Sequence, residues 1–179
     1  MCEERMAQQR EKWDLSLQSV KTKEESEKIA CLAETIWAEY YTPIIGAEQV
    51  RYMLDRFQSK NQIWQDVTER GFVYIYLTVA DKPAAYMAFQ DQPDGTCFLS
   101  KLYVLKDFRR QGFSKILIDY LVLHCQNENK HQIFLTVHKK NLQSIAVYKK
   151  MMFRLAEPIV TDIGQGFVMD DYIMRRDLT

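Results

Sequence analysis

The sequence lacks the surplus of positive charge that nucleic-acid-binding proteins usually carry. Its 24 basic residues are balanced by 24 acidic residues, so the formal net charge at pH 7 is zero. Binding to DNA or RNA rests largely on Lys and Arg side chains that displace counterions from phosphates. The balance therefore argues against nucleic acid as a partner, and only a local basic patch stays compatible with it.

Long hydrophobic runs are also missing. No apolar stretch approaches the roughly 20 residues that a helix needs to cross a bilayer. Residues 1–12 are polar and charged and contain no apolar run of the kind found in signal peptides. We therefore expect no membrane partner and a cytoplasmic location.

Cysteine and histidine are scarce and scattered. The four cysteines form no C-x-x-C pair, and none of the three histidines lies at metal-ligand spacing from a cysteine. This spacing fits neither a zinc site nor a disulfide scaffold. We expect reduced thiols and no metal.

What the chain does have is apolar material, with 47% hydrophobic and 12% aromatic residues. That is enough for a packed core and too much for a disordered protein. The length of 179 residues suits one ordinary domain, and no repeat, linker or low-complexity segment divides it. We expect an N-terminal extension over residues 1–12 and a single domain over residues 13–179.

The N-terminal part predicts one strand and then helices. Alternation at Trp13, Leu15 and Leu17 is typical of a half-buried strand. From Thr22 to Tyr40 the apolar residues recur at helical spacing, and the Thr42–Pro43 step with Gly46 is expected to end this helix. Two shorter helices are predicted around residues 50–57 and 63–67.

After Gly71 the sequence turns to β-branched and aromatic residues, which favour strands. The predicted strands are residues 72–80, 84–90, 97–105, 132–138, 155–161 and 167–176, with turns at 81–83 and 93–95 and helices from Gly112 and over 141–152. The first three of these strands form an antiparallel meander. The strand–helix–strand unit from Cys97 to His138 implies a parallel pair with a crossover helix. We therefore predict an α/β (α+β) fold with a mixed, twisted central sheet of about seven strands flanked by helices.

The segment most informative about function lies where a predicted strand leads through a basic loop into a helix. The loop spans Lys106 to Gln111, and Gly112 stands where the helix begins. The unpaired N–H groups and the dipole of a helix start favour a phosphate or pyrophosphate, and glycine lets the backbone approach such an anion. The alternative is that Gly112 is only a turn residue and that the arginines are solvated. Neither a G-x-x-x-x-G-K-[ST] loop nor a G-x-G-x-x-G dinucleotide motif is present.

Two motifs in the right order resemble those of the GNAT superfamily of N-acetyltransferases. The run Arg109-Arg110-Gln111-Gly112-Phe113-Ser114 is similar to the cofactor motif Gln/Arg-x-x-Gly-x-Gly/Ala, with serine in the last small position. Asn141 and the run from Ser144 to Phe153 resemble a second motif, Asn-x-x-(Ala)-x-x-x-Tyr-x-x-x-Gly-Phe, with Met152 in place of glycine. The run Asp171 to Met174 resembles the family's last strand, so the resemblance covers about residues 13–176.

The resemblance implies an acetyl-CoA-dependent N-acetyltransferase with no metal. It implies that the strand residues offer backbone groups to the pantetheine arm and acetyl carbonyl, that the loop and helix start wrap the pyrophosphate, and that Asn141 contacts the pantetheine. It also implies that Tyr148 stands near the thioester sulfur, where its phenol is the candidate catalytic acid. The implied cofactor-binding residues are Leu102, Tyr103, Val104, Arg109, Arg110, Gln111, Gly112, Phe113, Ser114, Lys115, Asn141 and Tyr148.

Two of these residues have a purely structural alternative. Asn is a preferred N-cap, so Asn141 can simply begin its helix. Tyr148 lies on the predicted apolar face of that helix with Ile145 and Met152, so it can be a core aromatic.

The general base is not assigned. Many members of the superfamily carry a glutamate on the strand before the cofactor loop, but the matching positions here are Phe98 and Ser100. Transfer through water, with or without Ser100, is one option. An acid from elsewhere is the other, with Glu34, Glu39 and Asp91 as candidates that the sequence does not rank.

For the acceptor, the chain most resembles bacterial spermidine and related polyamine acetyltransferases, through its Tyr74–Tyr76 strand, its Ala146–Lys150 run and its last strand. Carboxylates suited to a polyamine occur in the early helices at Glu34, Glu39, Glu48 and Asp55. We expect transfer to a primary amine of a small molecule or a peptide, and a homodimer stays open. The alternatives are an acetyl-CoA-binding regulatory module with little or no turnover and an interaction domain without a cofactor.

Overall fold

The computed structural model of the protein describes residues 14–178. The predicted extension over residues 1–12 and the start of the first strand at Trp13 lie outside these residues. The elements in chain order are β1 (Leu15–Ser19), α1 (Lys23–Tyr40), α2 (Thr42–Ile45), α3 (Ala47–Phe57), α4 (Lys60–Thr68), β2 (Val73–Val79), β3 (Lys82–Asp91), β4 (Thr96–Val104), a 3-10 turn (Lys106–Phe108), α5 (Phe113–Asn127), β5 (Gln132–His138), α6 (Leu142–Lys150), β6 (Arg154–Gly164) and β7 (Phe167–Asp177).

The strands form one seven-stranded sheet in the order β1-β2-β3-β4-β5-β7-β6. The ladders of β1 with β2, β2 with β3, β5 with β7 and β6 with β7 are antiparallel. β4 and β5 are parallel neighbours, paired from Thr96 with Gln132 to Leu99 with Leu135. The predicted mixed sheet flanked by helices is therefore confirmed, including its parallel pair.

The chain forms two compact units. The first comprises residues 14–89 and 101–120 of the described chain, and the second comprises residues 90–100 and 121–178. A single domain over residues 13–179 stays a prediction. None of the helices in residues 14–178 combines the length and the apolar character needed to cross a membrane.

In the first unit, α1 begins at the predicted residue because Thr22 and Glu25 form a capping box. The Thr22 hydroxyl accepts from the Glu25 N–H, and the Glu25 carboxylate accepts from the Thr22 N–H. One face of α1 is buried, with Ile29, Leu32, Ala33, Ile36 and Trp37 in the core. Burying each large apolar side chain contributes about 1.5–3 kcal/mol.

The segment predicted to end α1 contains an extra helical turn. α2 occupies Thr42–Ile45, immediately after α1. Pro43 fits there because the first residues of a helix need no acceptor for their N–H groups. Gly46, with φ of +86°, then closes the turn. The sequence placed the interruption correctly but missed the helix inside it.

The turn between β2 and β3 lies earlier than predicted. We expected it at residues 81–83, but it is formed by Ala80 and Asp81, with Lys82 and Pro83 already in β3. Ala80 and Asp81 both have positive φ, +46° and +63°. Two-residue hairpins favour such turns because their twist matches that of the strands. The predicted position was wrong because the Asp-Lys-Pro composition indicates a turn without fixing which residues form it.

In the second unit, β5 lies between β4 and β7 and carries alternating side chains. Ile133, Leu135 and Val137 are buried on one face, while Phe134, Thr136 and His138 point to the other. β7 pairs with β5 along the whole length of β5, from Gln132 with Asp177 to His138 with Asp171. The sheet face that carries Phe134, Thr136 and His138 is called the open face of β5 below.

Candidate functional site

The predicted pyrophosphate loop lies in the first unit, between β4 and α5. After the 3-10 turn, Arg110 and Gly112 both adopt left-handed backbone, with φ of +61° and +86°. The Ile116 N–H donates to the Gly112 carbonyl at 3.1 Å, so the helical bonds begin at Gly112 as predicted. This backbone turns the chain sharply into a helix start, which is the arrangement that suits an anion.

The left-handed backbone of Arg110 is the less expected of the two. A non-glycine residue in this region costs about 1–2 kcal/mol, and Arg110 is exposed, so no burial of its side chain offsets the cost. Such outliers concentrate at functional sites. The loop therefore has a costly shape at the position where the sequence predicted a bound anion.

Arg109 is held against the end of α1. Its guanidinium makes two bonds to the Glu39 carboxylate, 3.2 Å from Nη1 to Oε1 and 3.3 Å from Nη2 to Oε2. Its Nε donates to the Val104 carbonyl at 3.1 Å, and its Cζ lies 4.9 Å from the centre of the Tyr40 ring. Arg109 thus braces the loop against α1 in this structure.

The same contacts bear on Glu39, which the sequence offered both as a base and as an acceptor-binding carboxylate. Besides Arg109, the Lys106 ammonium lies 3.8 Å from Glu39 Oε1. The Glu39 carboxylate is therefore occupied by ion pairs, and it cannot also contact an acceptor amine while Arg109 keeps this position.

The remaining residues of the loop and helix start are anchored locally. Phe113 is buried and stacks on Phe108, with ring centres 5.4 Å apart. Lys115 is exposed and forms an ion pair with Asp119 one turn along the helix. Gln111 and Ser114 are half-buried. Aromatic stacking thus fixes the loop to the helix, and Lys115 reaches solvent.

The strand predicted to offer backbone groups, Leu102 to Val104, is half-buried. Tyr103 belongs to an aromatic cluster in which its ring centre lies 5.7 Å from Trp37, 6.0 Å from Tyr41 and 5.2 Å from Tyr86. Burial raises the pKa of Tyr86 well above its usual value. This cluster keeps the strand in place with neutral side chains.

A buried charge network next to this strand was not predicted. Lys101 is only 8% exposed, and its ammonium lies 3.7 Å from Asp66 Oδ2. Asp66 also accepts hydrogen bonds of 2.8 Å from the Tyr74 hydroxyl and from the Gln62 side chain. Burial lowers the pKa of Lys101 and raises that of Tyr74. Because α4 and β4 are far apart in sequence, no local pattern points to this network.

In the second unit, Asn141 caps α6. Its Oδ1 accepts from the Ser144 N–H at 3.1 Å, and its own N–H donates to the His138 carbonyl at 2.8 Å. The side chain is buried. The capping alternative is therefore present in the structure, and contact with the pantetheine arm stays a prediction.

Tyr148 lies on α6 and is half-buried. Its ring centre is 5.7 Å from that of Phe153, in an edge-on arrangement. The ring is therefore partly in the core and partly accessible, which fits both readings of this residue. Its role as the catalytic acid stays a prediction.

Met152, which replaces the glycine of the resembled motif, has φ of +68° and is 71% exposed. The Phe153 N–H donates to the Tyr148 carbonyl and the Met152 N–H to the Lys149 carbonyl, at 3.0 and 3.1 Å. These bonds form the Schellman ending of a helix, which usually carries glycine at this position. Met152 thus adopts the left-handed backbone of a Schellman ending, although glycine is the residue that favours this conformation.

Two of the positions considered in the sequence as sources of a general base, Phe98 and Asp91, have different surroundings. Phe98 stacks on Phe134 with ring centres 5.0 Å apart. Asp91 Oδ2 lies 3.0 Å from His124 Nε2. Within residues 14–178, no group of three or more His, Cys, Asp or Glu side chains is placed to hold a metal ion.

A sequence profile described as the Acetyltransferase (GNAT) family matches residues 31–153, more than half of the chain. Comparison with curated protein sequences finds no match.

Solved structures show the same fold at low sequence identity. A PaiA N-acetyltransferase from Thermoplasma acidophilum in complex with coenzyme A is 17% identical with a TM-score of 0.75, covering 90% of this chain and 99% of that one. The ribosomal-protein-S18-alanine N-acetyltransferase from Escherichia coli is 19% identical with a TM-score of 0.65, covering 92% and 94%. Ard1 from Thermoplasma volcanium is 20% identical with a TM-score of 0.65, covering 92% and 98%.

Proposed function

The chain belongs to the acetyltransferase (GNAT) family, and on that premise we propose that it moves the acetyl group of acetyl-CoA directly to a primary amine, of a polyamine-like small molecule or of a peptide, within one ternary complex. The observation that carries the proposal is the left-handed backbone at Arg110 and Gly112, which leads into the start of α5.

The cofactor would use both groups of residues that the motifs single out. The backbone of residues 109–115 and the Lys115 side chain would hold the pyrophosphate, with the charge of Arg110 added from the exposed side. The backbone of Leu102 to Val104 would polarise the thioester carbonyl, and Asn141 would meet the pantetheine arm. Two of the supporting observations are the positive φ at Gly112 and the exposed ammonium of Lys115.

The acceptor is proposed as an amine class, not a single compound. The resemblance in sequence favours polyamines, and the exposed carboxylates of Glu34, Glu48 and Asp55 would suit them. Peptide amines belong to the proposed class as well, because a protein of similar fold is the ribosomal-protein-S18-alanine N-acetyltransferase from Escherichia coli. Glu39 would be available to an acceptor only after Arg109 had left it.

The reaction needs a neutral amine, a polarised carbonyl and a proton for the leaving thiolate. A primary amine with a pKa near 10.4 is almost fully protonated at neutral pH, so its proton must be removed first. Tyr148 would protonate the coenzyme A thiolate through its phenolic hydroxyl, which can donate a proton. No covalent enzyme intermediate is required, so the buried thiol of Cys97 need not act as a nucleophile.

The direct test measures coenzyme A release with free-thiol detection. The purified protein is given saturating acetyl-CoA and, separately, spermidine, a peptide with an N-terminal alanine and a peptide with an internal lysine. Acceptor-dependent thiol release with any of them is the expected result, and mass spectrometry identifies the acetylated nitrogen. Isothermal titration with coenzyme A runs in parallel.

The second candidate function is a regulatory module that binds acetyl-CoA without turnover. It is favoured by one observation, the absence of an acid at Phe98 and Ser100. Tight coenzyme A binding without thiol release for any acceptor would support it. A folded protein that binds no coenzyme A would contradict both functions.

A further inference from the structure

A buried carboxylate on β7 has no role in the transfer described so far. Asp171 is only 5% exposed, and its Oδ1 atom has no hydrogen-bond partner among the described residues. Removing a carboxylate from water without satisfying its oxygens costs free energy. Native proteins keep few such atoms, and each calls for a physical reason.

The register of the second unit places this carboxylate on the open face of β5. Asp171 is the cross-strand partner of His138, and cross-strand partners project from the same face of a sheet. On the other side of β5, Phe98 is the partner of Phe134 and stacks on it. Ser100, two residues beyond Phe98, projects to the same face by strand alternation. This face of the sheet has no acidic side chain at Phe98 or Ser100 of β4, but it carries the buried carboxylate of Asp171 on β7.

The charged and polar groups around Asp171 come from each neighbouring element. His138 on β5, Lys139 after it and Asp170 on β7 act on it through their charges, and the Thr136 hydroxyl acts as a hydrogen-bonding group. On β6, its cross-strand partner is the apolar Ile159. Burial raises the pKa of Asp171, and His138 opposes that rise only in part. A carboxylate of this kind binds a proton more readily than an exposed aspartate.

The same end of β5 leads into the candidate cofactor helix. His138 is the last residue of β5, and the Asn141 N–H donates to its carbonyl at 2.8 Å. This bond ties the start of α6 to the end of the strand that carries the partner of Asp171. Lys140 donates its N–H to Nδ1 of His138 at 3.2 Å, which holds that ring in place.

We propose that Asp171 is the general base of the transfer. It would take the proton of the substrate's ammonium group through a water beside Thr136 and His138 on the open face of β5. The proposal rests on the proposed function. It supplies the base that neither Phe98 nor Ser100 provides.

One proton passes from the ammonium group to the Asp171 carboxylate and leaves a neutral amine. The amine nitrogen then forms the bond to the acetyl carbon as the carbon–sulfur bond breaks. The second proton of the nitrogen ends on the coenzyme A thiol by way of Tyr148, which returns to its starting form. Asp171 then releases its proton to solvent.

The experiment compares Asp171→Asn with Asp170→Asn. Asparagine keeps the shape of the side chain but cannot take up the proton. Asp170 is the matched control, because it is the adjacent aspartate on the same strand, projects to the opposite face and pairs with Lys139 at the surface. Turnover is measured from pH 5 to 9 with the acceptor that wild type uses best, and coenzyme A affinity is measured by titration calorimetry.

We expect Asp171→Asn to lower kcat by about 100-fold to 10,000-fold, the span typical of a lost general base. Wild-type activity should fall as pH falls through the pKa of Asp171, and this acid limb should disappear in Asp171→Asn. Coenzyme A affinity should stay within about twofold. Asp170→Asn should keep a kcat close to that of wild type, with its acid limb moved only toward lower pH because the charge of Asp170 no longer raises the pKa of Asp171. Near-normal kcat in Asp171→Asn, or an unchanged acid limb, would overturn the proposal while leaving the proposed function intact.

The thermal stability of Asp171→Asn distinguishes a catalytic role of Asp171 from a structural one. Since the pKa of Asp171 is raised in the folded state, its ionised form is disfavoured there, and folding loses stability as pH rises above the unfolded pKa. Asp171→Asn removes this penalty, so Tm at pH 8 should stay equal or rise. A Tm lowered by several degrees would identify Asp171 as a structural residue. Absence of turnover by wild type with all three acceptors would overturn the proposed function and this proposal together.

Discussion

Met152 stands where the resembled GNAT motif has glycine, and we expect glycine at this position to increase the free energy of unfolding. The residue sits at the position after the helix cap, with φ of +68°, in a Schellman ending whose two hydrogen bonds are both present. A residue with a Cβ pays about 1–2 kcal/mol in this backbone region, and glycine pays nothing. Glycine in turn loses about 0.5–1 kcal/mol more chain entropy on folding. The net gain from glycine is about 0.5–1 kcal/mol.

The side chain itself must be separated from the backbone. Met152 is 71% exposed, so roughly three-tenths of its surface is buried, which is worth less than about 1 kcal/mol. Met152→Ala removes this contribution but keeps the Cβ, while Met152→Gly removes both. The comparison of the two variants therefore isolates the backbone.

We expect Met152→Gly to be more stable than Met152→Ala by about 0.5–1 kcal/mol. For a chain of this length, that difference raises Tm by about 1–4 °C. Urea unfolding followed by circular dichroism measures it through the midpoint at unchanged m-value. If Met152→Gly is no more stable than Met152→Ala, the left-handed backbone is not the costly feature that we infer.

Three further predictions concern the cofactor loop, the acid and the β2–β3 turn. Gly112→Glu should weaken coenzyme A binding at least tenfold in calorimetry, because φ of +86° disfavours a side chain and the added charge repels the pyrophosphate; unchanged affinity would show that the loop does not hold it. Tyr148→Phe should lower kcat by about tenfold to ten-thousandfold with little change in coenzyme A affinity or Tm, whereas a loss of about 1 kcal/mol of stability at normal turnover would mark a core tyrosine. Ala80→Asn should stabilise the fold by about 0.5–1 kcal/mol, since asparagine tolerates the φ of +46° found there and is preferred in such turns; a lower urea midpoint than wild type would contradict this.

Local patterns were enough for elements whose signal lies within a few residues. The helical spacing of apolar residues from Thr22 predicts α1, and the structure begins the helix there with a capping box whose partners, Thr22 and Glu25, are three residues apart. The β2–β3 turn was misplaced because its shape depends on the twist of the two strands, while Asp-Lys-Pro composition only indicates a turn somewhere near. The extra turn α2 was missed for a similar reason, since Pro43 ends one helix and is equally suited to begin the next.

The candidate site divides in the same way. The positive φ of Gly112 and the cap at Asn141 agree with what the residue types predict. The ion pair of Arg109 with Glu39 joins residues 70 positions apart. The ion pair of Lys101 with Asp66 joins β4 to α4. Neither pair has a local signature, because a charged residue on a helix or strand looks the same in sequence whether it is solvated or paired.

The sequence by itself predicted the family and, apart from the short α2, the order of strands and helices, and it pointed to the segment that we propose for the cofactor's pyrophosphate. Each of these depends on periodicity, on glycine and capping residues, or on motifs with fixed local spacing. Only the tertiary structure decided which charged groups are paired and which are buried. It sets Arg109 against Glu39 and places Asp171 beside His138, with one Asp171 oxygen unpartnered among residues 14–178. Pairing and burial depend on which strands and helices become neighbours, and that follows from packing of the whole chain.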